Sequence, residues 1–194
     1  MKKLLLLLSL SLGCFVLSSC SSEVKKYVIK GHVDKYESDL LMTMVNETGK
    51  VDTIHEVRSV NGDFEMEGVN GPKLAFLTIK GVNGRIPLLL EDTLFTLNIR
   101  AKDLADVRNY DIQGGRLQAG KNALDDVEIE VFSDRDSILA CYFEAEKNHD
   151  IAGKMHERAM LDRMTIAYDK EENKFIEANK DNILGLAIVY YRYN

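Results

Sequence analysis

The chain has 194 residues, with 25 lysines and arginines against 31 aspartates and glutamates, for a formal net charge of −6. An acidic chain with no basic block argues against nucleic-acid binding, which rests on neutralising phosphates, and against electrostatic docking on anionic lipid. Tryptophan is absent and proline occurs twice, so no long Pro-rich linker is present.

Met1-Lys2-Lys3 opens the chain, and an uncharged run from Leu4 to Leu17 follows. That is the layout of a secretory signal. As a helix the run would rise about 21 Å, against about 30 Å of bilayer hydrocarbon, so a spanning helix is the poorer reading. The run ends Leu17-Ser18-Ser19-Cys20, which resembles the lipobox of bacterial lipoproteins: an aliphatic residue, two small residues, then the cysteine that is lipidated. Acyl chains on Cys20 would then set membrane affinity, and two or more give stable anchoring. Cleavage before Cys20 removes Lys2 and Lys3 and no acid, so the mature chain carries a net charge of −8. Ser21, rather than an aspartate, after the cysteine points by the same resemblance to the outer membrane, on either face. The expected placement is therefore the cell envelope. Of the three cysteines, Cys14 leaves with the leader and Cys20 carries lipid, so Cys141 has no partner for an intramolecular disulfide.

The expected organisation is a leader at 1–19, a lipidated tether at 20–26, a β-domain at 27–115 and a helical extension at 116–194. In the β-domain Tyr27, Ile29, Gly31 and Val33 alternate with polar or outward positions, the period of a strand. The run from Asp39 to Val45 suits a buried strand. Further strands are predicted over Val51–Arg58, Asp63–Gly68, Lys73–Lys80, Arg85–Glu91, Thr93–Arg100 and Val107–Gln113. Asn-Gly pairs at Asn61-Gly62, Asn70-Gly71 and Asn83-Gly84 mark tight turns and imply antiparallel neighbours. Such a set of short strands predicts a sandwich or an open barrel.

From about Leu117 the period changes. Leu124, Val127 and Val131, then Ile138, Cys141, Tyr142 and Ala145, recur at helical steps, and Ser133 is a candidate cap for a second helix. A third helix is predicted near Ile151–Tyr168, a short one around Phe175 and Ile176, and a last one over Ile183–Tyr191 with Asp181 as N-cap. The fold class expected is thus α+β: an N-terminal antiparallel β-sandwich or open barrel followed by a C-terminal helical segment. The last helix is apolar enough to need a partner surface.

Tyr27-Val28-Ile29-Lys30-Gly31, Asn61 to Gly68, Pro72 and Leu88-Leu89-Leu90-Glu91-Asp92-Thr93 resemble an N-terminal domain of unknown function, of the DUF4369 type, common in bacterial envelope lipoproteins. Ile112-Gln113-Gly114, Lys121-Asn122-Ala123-Leu124 and Lys174 to Asn179 are similar to its usual continuation. In that family the domain usually precedes a thioredoxin-like domain of the thiol–disulfide oxidoreductase or peroxiredoxin class. Here no Cys-x-x-Cys is found, so the family's redox residues have no counterparts, and the chain ends where a linker to that domain would begin. The resemblance implies a non-catalytic accessory module with a thioredoxin-like protein as partner.

No residue is expected to be catalytic. Cys141 lies among Leu139, Ala140, Tyr142 and Phe143 and reads as a small buried helix residue rather than an activated thiol. His32, His55, His149 and His156 read as surface residues; the last two would share a face only on a continuous helix, and Gly153 argues for a break. Zinc needs three or four closely spaced ligands, and none are so arranged. Asp125, Asp126, Glu128, Glu130, Asp134 and Asp136 read as a solvated acidic face, because Ser133 to Ser137 lacks the glycine and closing glutamate of a calcium loop. No cofactor and no metal are expected, and the one assigned site is the lipidation position, Cys20. The alternative function is an envelope binding or adhesion module for a glycan, peptide or protein, an analogy from the sandwich alone.

Overall fold

The computed structural model describes residues 26–35, 37–46, 48–69 and 73–193. The leader, Cys20, most of the tether and the Asn70-Gly71-Pro72 turn lie outside the described residues. Among the described residues eight strands come first: β1 (Lys26–Val33), β2 (Asp39–Val45), β3 (Val51–Arg58), β4 (Asp63–Val69), β5 (Lys73–Ile79), β6 (Ile86–Leu90), β7 (Leu94–Ile99) and β8 (Tyr110–Gln113). Four helices follow: α1 (Arg116–Val131), α2 (Arg135–Lys147), α3 (Ile151–Ala178) and α4 (Ile183–Tyr193).

The strands form two four-stranded sheets, ordered β4-β1-β7-β8 (sheet A) and β3-β2-β5-β6 (sheet B). Their inner faces share one core built on Ile29, Leu40, Met42, Leu77, Leu88, Phe95 and Leu97. The result is an open sandwich rather than a closed barrel, with α+β class as expected. Two details differ from the sequence reading. β1 and β7 are parallel neighbours, the rest antiparallel. And Val107–Asn109 is a single 3₁₀ turn, because Asp106 accepts the Arg108 N–H at 3.0 Å and winds the backbone before β8 begins.

The Asn-Gly turns do less pairing than their chemistry suggests. Asn61 and Gly62 take positive φ angles of 56° and 88°, and Val60 and Asp63 close the turn with backbone bonds of 2.9 and 3.0 Å. That is a two-residue turn of the expected hand. Yet it is a corner between sheets: β3 stays in sheet B while β4 crosses to pair with β1 in sheet A. Asn83-Gly84 does lie within a true hairpin, β5–β6.

At β6 and β8 one side of the ladder is closed by α1. Gln118, fully buried, accepts the Leu89 N–H at 2.9 Å through Oε1. Its Nε2 donates to Asn122 Oδ1 at 3.0 Å, and Asn122 Nδ2 donates to the Ile112 carbonyl at 2.6 Å. Two side-chain amides thus each take one backbone group of an edge strand, Leu89 of β6 and Ile112 of β8, where open sandwiches are liable to further pairing. On the opposite side Tyr27 of sheet A meets His55 of sheet B, Oη to Nε2, at 2.8 Å.

A second core lies outside sheet B. Leu89 and Leu74 pack there against Leu117, Leu124, Phe175, Leu184, Ala187 and Ile188. This is the partner surface that the apolar last helix requires. Several helix details correct the sequence reading. The residue at the start of α2 is Asp134, with no side-chain cap bond, rather than Ser133. Phe175 and Ile176 belong to the final turn of the 28-residue α3, since nothing between Ile151 and Ala178 breaks its ladder. α4 is capped by Asn182, whose Oδ1 accepts the Leu184 N–H at 2.8 Å, rather than by Asp181. α2 and α3 pair as a hairpin, and α2 buries no residue fully.

Candidate functional site

Three features gather side chains in ways that bear on function. The first is a groove on the outer face of sheet B. Along α4, Leu184, Ala187 and Ile188 turn into the second core. Ile183, Leu186 and Tyr190 stand beside them at three- and four-residue steps and form one wall. The other wall is Met44 and Val45 at the end of β2, with Leu74 and Phe76 of β5 as floor. Phe76 is held from both sides, by Tyr190 with ring centroids 6.0 Å apart and by the Arg85 guanidinium 4.1 Å from its ring centre. The groove encloses about 620 Å³, and its polar side chains are Asn46, Thr48 and Lys73. This is the size and mostly apolar lining of a small-ligand site.

The second is a joint where α1, α3 and α4 meet. Lys121 and Asp125 are nearly buried and paired, Nζ lying 2.7 Å from both carboxylate oxygens. Arg192 of α4 bonds Asp169 at 2.8 Å and also Glu172. Glu128 meets the Tyr168 hydroxyl at 3.4 Å. Burial pushes the Asp125 carboxyl up despite Lys121 beside it. It raises Glu128, reinforced by the charge of Asp125, and Glu172 despite Arg192. The Tyr110, Tyr168 and Tyr191 hydroxyls are pushed up by burial as well. Lys121, Asp125, Glu128, Tyr168 and Glu172 line a cavity of about 60 Å³, room for water and not for a substrate.

The third is a cleft of about 630 Å³ between the Ala105–Arg108 turn and the helices. Glu128 and Tyr168 form one end of its lining, Arg108, Arg135 and Asp136 the other, with Phe132, Leu139 and Leu161 between. Arg108 is held by Asp106 at 2.8 Å.

The residues singled out from sequence scatter. Cys20 lies outside the described residues. Cys141 is exposed, a correction of the buried reading: α2 packs mainly on α3 and buries no residue fully, so the covered stripe is narrower than its apolar periodicity suggests. His32, His149 and His156 are exposed, but His55 is half-buried; its bond to Tyr27 makes it a tie between sheets, and burial lowers its pKa. His149 and His156 are separated by a helix break at Asn148–Asp150, where His149 takes a φ of 55°. Gly153 sits inside the first turn of α3, donating to Asp150 Oδ1, and is not the break. The acidic face divides: Asp126, Glu130, Asp134 and Asp136 are exposed, while Asp125 and Glu128 belong to the joint. The signal that could have separated them is Lys121 four residues before Asp125, on the same face as Leu117 and Leu124. Among the described residues no group of three or more His, Cys, Asp or Glu could hold a metal ion. No helix there is long and apolar enough to cross a membrane.

Comparison with known families places the strands. Residues 27–119 match the family described as Domain of unknown function (DUF4369). The match runs from the second residue of β1 into the first turn of α1. No curated protein matches the chain.

Proposed function

We propose, taking as premise that residues 27–119 form a domain of the DUF4369 family, that this chain is an envelope lipoprotein anchored through acylated Cys20 and acting as a non-catalytic accessory module beside thioredoxin-like proteins. The observation that carries the reading is the spacing of two features. A lipobox-like Leu17-Ser18-Ser19-Cys20 ends the apolar leader, and the folded sheet starts at Lys26, six residues on. A chain so arranged is held close to a membrane surface by its lipid. The chemistry of the site supports binding over bond-making. The two cations of the joint, Lys121 and Arg192, are taken up by carboxylates of the same joint, and the groove on sheet B is mostly apolar with few polar groups. The thioredoxin-like partner follows from the resemblance of the β-domain to modules that precede such domains.

Detergent-phase partitioning tests the anchor: the wild-type chain is expected in the detergent phase, and Cys20→Ser in the aqueous phase or as an uncleaved precursor. Insulin-disulfide turnover by the mature chain tests the catalytic part, and appreciable activity would refute it. A second reading, an envelope binding module for a glycan, peptide or protein, is favoured by the mixed lining of the 630 Å³ cleft, which brings Phe132 and Tyr168 together with Arg108, Arg135 and Asp136.

A further inference from the structure

We infer that the apolar groove between α4 and sheet B is the seat of an acyl chain carried by Cys20 of the same molecule, so that the anchor is partly folded back onto the protein. The inference rests on the lipoprotein reading above and goes beyond it.

The geometry is set by which pole of the sandwich each element faces. β1 begins at Lys26, which pairs with Val69 at the end of β4. In sheet B the same pole holds the end of β2 and the start of β5: β1 ends at Val33 and β2 starts at Asp39 at the opposite pole, and Met44 pairs with Ala75. Met44, Val45, Asn46, Thr48, Lys73 and Leu74 line the groove, and all lie at that pole. Lys26 is about 5 Å from Val69 across the ladder. Val69 and Lys73 are four residues apart, at most about 14 Å of extended chain. The groove rim is therefore within about 19 Å of the first strand residue. Cys20 is six residues before Lys26, a reach of about 20 Å. The tether spans this distance, and the acyl chain adds its own length.

The lining suits the occupant. Ile183, Leu186, Ala187 and Tyr190 face Met44, Val45, Leu74 and Phe76. Among the described residues no carboxylate lines the groove. Leu186 is 68% exposed at its rim, an apolar side chain that water alone does not favour and a hydrocarbon chain would cover.

The test uses the lipidated protein. Cells are grown with a photoreactive fatty acid so that Cys20 receives it, and the protein is purified, returned to liposomes and irradiated. Peptide mass spectrometry then locates the adducts. Adducts on peptides spanning 44–48 or 183–190, lost in Leu186→Glu, are the expected result. Leu186 is exposed, so the variant keeps its fold, and its thermal melt checks this. Adducts confined to bilayer lipid, or found elsewhere on the chain while Cys20 carries the label, would overturn the inference and leave the anchor standing. A Cys20 peptide without acyl groups would overturn both.

Discussion

Gln118 is the single side chain on which the closed side of the sandwich turns. It is fully buried, and both ends of its amide are used, one on Leu89 and one on Asn122. Gln118→Ala would leave the Leu89 N–H without a partner in a dry place, at a cost of about 1–3 kcal/mol. Urea denaturation should report that loss, and a variant as stable as wild type would show that the edge is satisfied in another way. That Arg85–Glu91 forms a strand was readable in the sequence; the need for an edge plug was not, because it arises only once β6 is known to end its sheet. Gly31 makes the same point. Its sequence position looks like a weak place in β1, but a side chain there would collide with the Phe64 ring that lies across it from β4. His55 was read as a surface residue because no closely spaced set of metal ligands includes it. Only the approach of Tyr27 from the other sheet gives it a role.

At the scale of elements, the joint of α1, α3 and α4 is held by charges withdrawn from water. A buried pair adds little net stability, but removing one partner costs about 3–5 kcal/mol. Lys121→Ala should fall in that range because Asp125 is left buried, whereas Lys121→Met with Asp125→Leu should recover most of it. Recovery is scored by thermal melting against wild type. The joint also has a pH signature. The Glu128 carboxyl is raised in the folded chain by burial and by Asp125, so the fold favours its protonated form. The stability it contributes is full below the unfolded carboxylate value, 4.5, and is lost as pH rises through the raised folded value. Glu128→Gln should therefore gain on wild type as pH rises from about 4 to 8. Taking the difference between the two chains removes His55, whose lowered pKa acts in the opposite direction by weakening the fold on acidification. A difference that stays flat would place Glu128 in water. Strand and helix order followed from periodicity and the turn residues between segments, since each period reports burial on one face. Corners and caps did not. The Asn61-Gly62 turn has the same local chemistry whether β4 folds back on β3 or crosses to β1. What decides is the alternation of Phe64 and Met66, which completes the core only beside β1.

For the whole molecule, the two poles of the sandwich are unequal. One carries the start of β1, the groove and the first turn of α1, where Glu91 accepts the Leu117 N–H; the proposed anchor joins the chain here. The α2–α3 hairpin projects from the helical side with Phe143, Ile151 and Met155 exposed. The sandwich with following helices was legible from period and turn chemistry. The groove was not, because its walls come from segments more than a hundred residues apart. The central claim is the lipid on Cys20, and the intact mass of the protein extracted from membranes tests it most directly. The account predicts a chain beginning at Cys20 whose mass exceeds the peptide by a diacylglyceryl group and its acyl chains. A mass equal to that of unmodified polypeptide, starting at Met1 or at any later residue, would contradict it.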